Sequence, residues 1–381
     1  MIKRPINTFS RSHRPDYILI GTVFALLSLG IIILASASAS FSQVRFGNTY
    51  YFLKHQLTHA VIPGLVSCLI FFFISLNFLK KISSILLVLN LLFLVLVFLP
   101  NIGSRFLGSS RWIDLGFVTF QPSEFLKLTF ILYLAAWLEG RTKKNTLKSG
   151  ENGGFGETLI AFIIAIGLIS FLLLSQPDMS TLGIIMITAA VMYFLADTPL
   201  WHSIAIFLLG IIFVAISIYA APYRLNRFKI LYDPMLDPMG EGFQPKQAII
   251  SVGSGGLIGS GLGLSSQKFG LLPESMSDAI FAIFAEEAGL IGSSILIIIF
   301  LVFLWRGFRL SNNIPENKFA KLLSQGLTFW IILQAFLNIA AMIGIFPIAG
   351  IPLPFISYGG SHLIIELTGV GILLNMSKNV S

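Results

Sequence analysis

Charged residues are scarce in this chain of 381 residues, where aspartate, glutamate, lysine and arginine together make up 11%. Soluble domains carry about 25% charged residues, so this sequence cannot cover a large water-exposed surface. Hydrophobic residues, by contrast, make up 55% of the chain and gather in long runs. These proportions exclude a disordered chain and a large soluble catalytic domain, and they indicate a protein that crosses a membrane several times.

Cysteine and the common metal or nucleotide motifs are nearly absent as well. The one cysteine, Cys68, lies in an apolar run, which excludes an internal disulfide and a CxxC zinc site. No HExxH, GxSxG or Walker pattern occurs, and the glycine run 253–263 has no Walker lysine. Hydrolase, metalloprotease and ATPase functions therefore have no support. We attribute the formal charge of +8 to cytoplasmic loops that face anionic lipid, and not to nucleic-acid binding.

The apolar runs predict an all-α polytopic membrane protein with about ten transmembrane helices, since one span takes about 20 residues. The predicted spans are residues 17–36, 60–77, 82–99, 122–138, 158–174, 180–196, 203–221, 279–304, 322–346 and 355–374. Most lysines and arginines then lie in the segments that are cytoplasmic if the N-terminus is inside, so both termini are predicted to be cytoplasmic.

The predicted organisation is a cytoplasmic segment 1–16, a single transmembrane domain 17–375 and a cytoplasmic tail 376–381. A long extracytoplasmic loop, 222–277, joins the seventh and eighth spans and is rich in proline and glycine. A loop of this length in a compact protein is usually functional. Its apolar stretches are predicted either to lie at the membrane interface or to dip back as short broken helices packed against other helices.

Charges at membrane depth are costly, so each is a functional hypothesis with a structural contact as the alternative. Glu124 and Lys127 stand three residues apart at the outer start of the fourth span, on one helix face. They form a structural ion pair, or they line a polar cavity in which Lys127 meets an anionic group. Asp178 either caps the sixth helix or belongs to the same cavity.

Asp278 stands where the long loop re-enters the membrane, close to Glu274. It is either a helix N-cap, as Ser277 could also be, or a general base whose pKa is raised by partial burial. Three further acidic residues are predicted to make structural or interhelical contacts: Glu286, Glu287 and Glu366.

Trp112 lies beside Arg111 in the outer segment before the fourth span. A tryptophan in this position usually anchors the protein in the aromatic belt of the membrane interface. The alternative is that its ring stacks on a sugar, while Arg111 grips a phosphate with two parallel hydrogen bonds.

Six motifs follow one another along nearly the whole chain. They are residues 110–113 with 120–128, 176–178, 237–244, 253–256, 272–278 and 352–361. Together they resemble the SEDS family (shape, elongation, division and sporulation), whose members polymerise lipid-linked peptidoglycan precursor. Residues 51–57 and 222–227 look more like the division branch, FtsW, than the elongation branch, RodA. Where the family commonly has His-Thr-Asp, this chain has Met276-Ser277-Asp278, a change expected to affect substrate preference and pH optimum more than reaction type.

The resemblance implies a peptidoglycan glycosyltransferase that polymerises lipid II, an undecaprenyl-pyrophosphate-linked disaccharide-peptide, on the extracytoplasmic face of the bacterial inner membrane. Asp278 is the implied catalytic residue. The predicted substrate-binding residues are Trp112, Arg111, Glu124, Lys127, Asp178, Glu274 and Ser357. A divalent cation, Mg²⁺ or Mn²⁺, is the one cofactor considered, and it would accompany the pyrophosphate. The expected partners are lipid II, the growing polyprenyl-linked glycan, membrane lipid, a single-span class B penicillin-binding protein, and divisome or elongasome proteins.

Two other functions compete with polymerisation. A flippase for the lipid-linked precursor would use the same charges as a translocation path, although the sequence shows no inverted repeat and its candidate charges cluster at the outer edge. A scaffold that docks a penicillin-binding protein is compatible with either activity.

Overall fold

The computed structural model describes residues 14–99, 103–106, 109–114, 119–147, 154–219, 222–314 and 317–378. Most of these residues are helical. The helices in chain order are α1 (Tyr17–Phe46), α2 (Tyr51–Gln56), a π-helical turn (Leu57–Val61), α3 (Ile62–Phe73), α4 (Leu76–Leu96), α5 (Pro122–Leu147), α6 (Gly154–Ser175), α7 (Met179–Leu195), α8 (Leu200–Tyr219), α9 (Pro222–Tyr232), a 3₁₀ turn (Pro234–Leu236), α10 (Phe243–Ser254), α11 (Ile280–Asn312), α12 (Lys318–Met342) and α13 (Gly360–Ser377).

Helix is found at each predicted span, with shifted ends. Among the described helices, seven are long and apolar enough to cross a membrane by length and composition: α1, the continuous segment Tyr51–Phe73, α4, α6, α8, α11 and α12. The other three predicted spans correspond to α5, which carries several charges, to α7, which has 17 residues, and to α13, whose side chains are almost all buried. A helix surrounded by protein needs less apolar surface than one that faces lipid, so hydropathy alone finds it poorly.

The all-α prediction is wrong for the segment between α4 and α5. It forms a three-stranded antiparallel sheet, β1 (Gly103–Phe106), β2 (Ser109–Asp114) and β3 (Thr119–Phe120), in the order β1-β2-β3. Ser104 pairs with Trp112 across the first ladder. These strands are short and mix polar with apolar residues, so a search for long apolar runs does not detect them. The sheet carries Arg111 and Trp112, and β2 contacts α5.

The long loop 222–277 is largely structured, and its glycine run packs against a break in α11. Gly289 leaves the helix with φ 65° and ψ −166°. Backbone groups freed by this break bond to the glycine run: Ser260 N donates to Glu286 O at 2.9 Å, and Leu290 N donates to Gly256 O at 2.9 Å. The backbone of this loop packs against another helix, as one of the two alternatives predicts, but the side chains of Leu257, Ile258 and Leu262 are exposed. Placement of these side chains at the membrane interface stays a prediction.

The acidic pair beside this break makes structural contacts, as predicted. The Glu286 carboxylate accepts hydrogen bonds from the hydroxyls of Ser251, Ser265 and Ser266 and from the Ser266 backbone N–H. Glu287 accepts from Ser36 and pairs with the buried Lys268 ammonium at 3.0 Å. The loop is therefore held against α11 by buried charges that are fully hydrogen-bonded, the condition under which buried charge is tolerated.

Both ends of the described chain lie at one end of the helix bundle. Asp16 caps α1, forms an ion pair with Arg306 near the end of α11, and donates its backbone N–H to Ser377 Oγ at 3.1 Å. Helix α11 leads from this end to Asp278 at the opposite end. The candidate site therefore lies on the face opposite the two termini. Residues 1–13 and 379–381 of the predicted terminal segments lie outside the described residues.

Candidate active site

Asp278 is a buried carboxylate placed just before α11. The N-cap alternative is wrong, because α11 begins at Ile280 after Ala279 and no side chain caps it. Asp278 is 8% exposed, and its Oδ1 has no hydrogen-bond partner among the residues that the structure describes. Burial first, and then the nearby negative charge of Glu274, raise the pKa of Asp278 to about 7. A carboxyl group with this pKa can accept a proton near neutral pH, as a general base must.

The segment between α12 and α13, residues 343–359, runs beside Asp278 and is called the connector here. Asn338 holds both together, because its Nδ2 donates to Asp278 O and to Ile351 O at 2.7 Å each. A Cβ built on Gly350 would lie 3.9 Å from Asp278 Oδ2. The connector therefore forms one wall of the Asp278 site.

Ser357 and Tyr358 join the connector to the loop that carries Asp278. The Ser357 hydroxyl donates to Ser277 O and accepts from Leu353 N at 2.8 Å, while Tyr358 N donates to Met276 O at 2.8 Å. Ser357 is fully buried, and in this structure both hydrogen bonds go to the chain itself. These contacts make it a residue that positions the Asp278 loop; its role in substrate binding remains a prediction.

Asp178 caps α7, as one of the two alternatives predicts. Its Oδ1 accepts from Thr181 N at 3.3 Å, while its Oδ2 is buried with no hydrogen-bond partner within the described ranges. Arg111 binds the two residues that precede Asp178: its guanidinium donates to the carbonyl oxygens of Gln176 and Pro177. In this structure Arg111 therefore fixes the entry to α7.

Glu124 and Lys127 form the predicted ion pair, at 2.8 Å between Glu124 Oε2 and Lys127 Nζ. Both are buried, and Lys127 Nζ also donates to Gln334 Oε1 at 2.9 Å. Gln334 Nε2 in turn donates to Glu366 Oε1 at 3.1 Å, and Glu366 accepts from Phe355 N of the connector. Glu366 thus makes the interhelical contact that its position in a span predicts.

The connector is where the predicted residues converge. Ser180, at the start of α7, donates to Ala349 O; Gly350 lies beside Asp278; and Gln334, which binds Lys127, donates to Pro352 O at 3.1 Å. Asp178, Asp278 and the Glu124–Lys127 pair therefore each lie within one or two contacts of residues 349–352. Trp112, partly exposed on β2, is joined to this group through its neighbour Arg111.

Gln334 and Asn338 were not among the site residues predicted from the sequence. They stand four residues apart in α12, on one helix face, and both are buried. Amide side chains within an apolar helix are the signal that could have revealed them, since a polar group at membrane depth must find a partner.

The described residues contain no group of three or more histidine, cysteine, aspartate or glutamate side chains that could hold a metal ion. The buried oxygens Asp178 Oδ2 and Asp278 Oδ1, which lack hydrogen-bond partners in that part of the chain, are of the type that Mg²⁺ prefers. Either oxygen could serve as a ligand to a cation that is carried by a pyrophosphate.

Known protein sequences match nearly the whole of this chain. Stage V sporulation protein E from Bacillus subtilis (strain 168) is 37% identical over 372 residues, which cover 97% of this chain and 98% of that protein. A probable peptidoglycan glycosyltransferase FtsW from Wigglesworthia glossinidia brevipalpis is 38% identical over 365 residues, which cover 94% of this chain and 92% of that one.

Solved structures share the fold. A chain from a structure titled "Structural coordination of polymerization and crosslinking by a peptidoglycan synthase complex" matches with a TM-score of 0.76 at 25% identity, covering 95% of this chain and 97% of that one. The rod shape determining protein RodA of Thermus thermophilus matches with a TM-score of 0.68 at 26% identity, covering 96% and 97%. Residues 17–381 also match the family described as "Cell cycle protein", which groups FtsW, RodA and SpoVE. The chain belongs to the FtsW/RodA/SpoVE family, the SEDS family that its motifs resemble.

Proposed function

We propose that this protein is a peptidoglycan glycosyltransferase that polymerises lipid II into glycan strands. Relatives that match nearly the whole chain carry the name peptidoglycan glycosyltransferase FtsW. The observation that supports a catalytic site in this chain is Asp278, a buried carboxylate with an unbonded oxygen and a pKa near neutrality.

The reaction is a single displacement at the anomeric carbon of the donor sugar. Asp278 accepts the proton of the acceptor 4-hydroxyl as the new glycosidic C–O bond forms. The bond between the anomeric carbon and the pyrophosphate oxygen breaks, and polyprenyl pyrophosphate leaves with the electron pair. Attack from the face opposite the leaving group inverts the configuration at that carbon.

In this proposal the neighbouring charged residues influence the reacting groups from fixed positions. Lys127 is buried and bound by Glu124 and Gln334, so its positive charge is held in one place where little water screens it. Asp178 keeps a buried oxygen without a hydrogen-bond partner within the described ranges, and burial, followed by the negative charge of Glu274, raises the pKa of Asp278. The role proposed for Trp112 is to stack on a sugar. A divalent cation bound to the pyrophosphate would neutralise charge on the leaving group.

The topology proposal is that all ten long helices cross the bacterial inner membrane, with both termini in the cytoplasm and the site on the extracytoplasmic face. The meeting of Asp16 with Ser377 supports termini on one side, and the position of Asp278 at the other end of α11 supports a site on the opposite side. The lipid tails of both substrates then lie between apolar helices while their headgroups reach the site.

The partner proposal is a single-span class B penicillin-binding protein within the division or elongation machinery. It is supported by the fold shared with a chain of a peptidoglycan synthase complex, whose title couples polymerisation to crosslinking.

The test is polymerisation of lipid II by the purified protein, alone and with its partner. General base catalysis contributes about 10²–10⁴-fold, so Asp278→Asn, which keeps the shape and removes the base, is expected to lower the rate by at least about 100-fold. Glu241→Gln neutralises an exposed glutamate of the same loop and serves as the control. Normal polymerisation by Asp278→Asn would overturn the base assignment, and a parallel flipping assay in liposomes separates polymerase from flippase.

A further inference from the structure

The side chain of Asn338 binds the main chain of both Asp278 and the connector. Asn338 is 1% exposed in α12, and its Nδ2 donates to Asp278 O and to Ile351 O at 2.7 Å each. Both partners are carbonyl oxygens, which only accept hydrogen bonds, so the amide NH₂ group must face them. An apolar side chain of similar size would have no donor for either oxygen.

This contact keeps the Asp278 carbonyl out of α11. In a regular α-helix each carbonyl accepts from the N–H four residues later, so Asp278 O would accept from Ala282 N. Ala282 N donates instead to Ala279 O at 3.0 Å, and α11 begins at Ile280. Asp278 therefore lies just before the first turn of α11, and its carbonyl is bound by α12 rather than by its own helix.

The connector gives Asn338 a fixed partner. Its next carbonyl after Ile351 O, that of Pro352, is bound by Gln334, one turn earlier in α12. Gln334 is fully buried and uses all four of its hydrogen-bonding positions, so it holds Pro352 O in one place. Asn338 therefore ties Asp278 to a part of the connector that is itself held by α12.

Without the Asn338 amide, the Asp278 carbonyl would be free to accept from Ala282 N, and α11 would begin earlier. Asp278 would then lie within the first turn of the helix, where the partial positive charge of the N-terminus favours a charged carboxylate. Its carboxyl group would also leave its present position beside Gly350 of the connector. The place and the protonation of the base therefore both depend on a residue of another helix.

Resting on the proposed function, we infer that Asn338 is a positioning residue of the polymerase, which keeps Asp278 outside α11 and against the connector, where its carboxylate acts as the base. Asn338 acts through the Asp278 main chain and has no contact with the sugar in this proposal. Its role is thus distinct from that of Gln334, which binds the Lys127 side chain.

The first test titrates Asp278 itself and needs no turnover. The infrared C=O stretch of its protonated carboxyl group, assigned by its loss in Asp278→Asn, is followed against pH in the purified protein. In Asn338→Leu, which keeps a similar size without a donor, the midpoint is expected to move to lower pH, because the helix N-terminus favours the carboxylate. Burial and then the charge of Glu274 raise the pKa of Asp278 in the wild type, and Glu274 is unchanged in this variant.

Asn375→Leu is the matched control. Asn375 is buried near the end of α13, and its Nδ2 also donates to two carbonyl oxygens, those of Phe71 and Ile74. This variant loses the same kind of contact at the end of the bundle opposite to Asp278, so it should lower stability and leave the infrared midpoint in place. Asn338→Ser leaves room for water beside the two carbonyls; it is expected to shift the midpoint as Asn338→Leu does, and it replaces that variant if it does not fold. An unmoved midpoint in a folded Asn338 variant overturns the inference.

Steady-state kinetics separate position from stability. In Asn338→Leu, kcat for polymerisation is expected to fall by about 10- to 100-fold at unchanged KM for lipid II, and the midpoint of its pH dependence is expected to move with the infrared midpoint. A loss of stability alone lowers the amount of active protein and leaves the pH dependence in place, and that result also overturns the inference. If the infrared midpoint moves but the wild type makes no glycan with any partner, the proposed function fails while the position that Asn338 gives to Asp278 stands.

Discussion

The two aspartates of the site are both buried, but their oxygens differ in what surrounds them. One Asp178 oxygen accepts a backbone N–H at the start of α7, where the partial positive charge of the helix favours a carboxylate. Asp278 caps no helix and lies near Glu274, so its charged form is disfavoured. The same side chain therefore holds the start of a helix at position 178 and suits a proton acceptor at position 278.

We expect the polymerisation rate to rise with pH, and the midpoint of this rising limb to lie near pH 7. Asp278 is protonated below its raised pKa and can accept the acceptor's proton only above it. Glu274→Gln removes a negative charge that raises this pKa, so the limb should move to lower pH. Initial rates between about pH 5 and 9 give the limb. Glu241→Gln should leave it in place, and an unmoved limb in Glu274→Gln would contradict the electrostatic cause.

The Glu124–Lys127 pair allows its structural and functional roles to be separated. Lys127→Met alone leaves a buried carboxylate uncompensated, which costs about 3–5 kcal/mol of stability. The double variant Lys127→Met with Glu124→Gln removes both charges and should recover most of the loss. Thermal unfolding in detergent measures this. A stable double variant without polymerase activity would show that catalysis uses the charges, whereas an active one would leave the pair a purely structural role.

Among the larger elements, α11 is unusual because its break is completed by another part of the chain. Gly289 interrupts the helix, and the glycine run supplies hydrogen bonds to the freed groups. Gly259 has φ 92°, and a Cβ there would lie 2.2 Å from Glu287 O. The break thus fixes the loop from which the chain continues to Asp278.

Gly259→Ala should destabilise the protein and lower its polymerase activity. The positive φ alone costs a non-glycine residue about 1–2 kcal/mol, and the contact with Glu287 O adds to it. Gly253→Ala is the matched control, because that glycine is helical and a Cβ there meets open space. Thermal unfolding and initial rates report both effects. Equal behaviour of the two variants would mean that the close approach is not required.

For the molecule as a whole, the bundle separates the termini from the site. Asp16, Arg306 and Ser377 meet at one end, and Asp278, Asp178 and the connector meet at the other. A polymerase of membrane-anchored substrates needs its site at one end of the bundle, because the headgroups of those substrates are presented on one side of the membrane only.

Cysteine labelling in intact cells tests this polarity. In a Cys68→Ser background, Asn226→Cys on α9 should react with a membrane-impermeant maleimide. Asn313→Cys, beyond the end of α11, should react only after the membrane is permeabilised. Both asparagines are exposed, so accessibility to the reagent depends on the side of the membrane. Labelling of both without permeabilisation would contradict the proposed topology.

Composition and apolar runs were enough to predict the helical membrane fold, and the scarcity of charge pointed to Glu124, Lys127, Asp178 and Asp278. These inferences depend on local properties. A membrane span must be apolar, and a charged side chain within it is costly unless it is paired or has a function. The sheet β1–β3 escaped prediction, since its strands pair through backbone hydrogen bonds that leave little trace in short mixed sequences.

What local properties could not predict was which residues meet. Gln334 and Asn338 lie far along the chain from Lys127 and Asp278, yet they bind the Lys127 side chain and the Asp278 backbone. Whether Asp278 caps a helix also depended on where the next helix begins. Amino-acid composition determines which groups must avoid lipid, because that cost belongs to each side chain. Their partners are determined by the packing of distant helices, because a buried charge is stabilised only by groups that the fold brings to it.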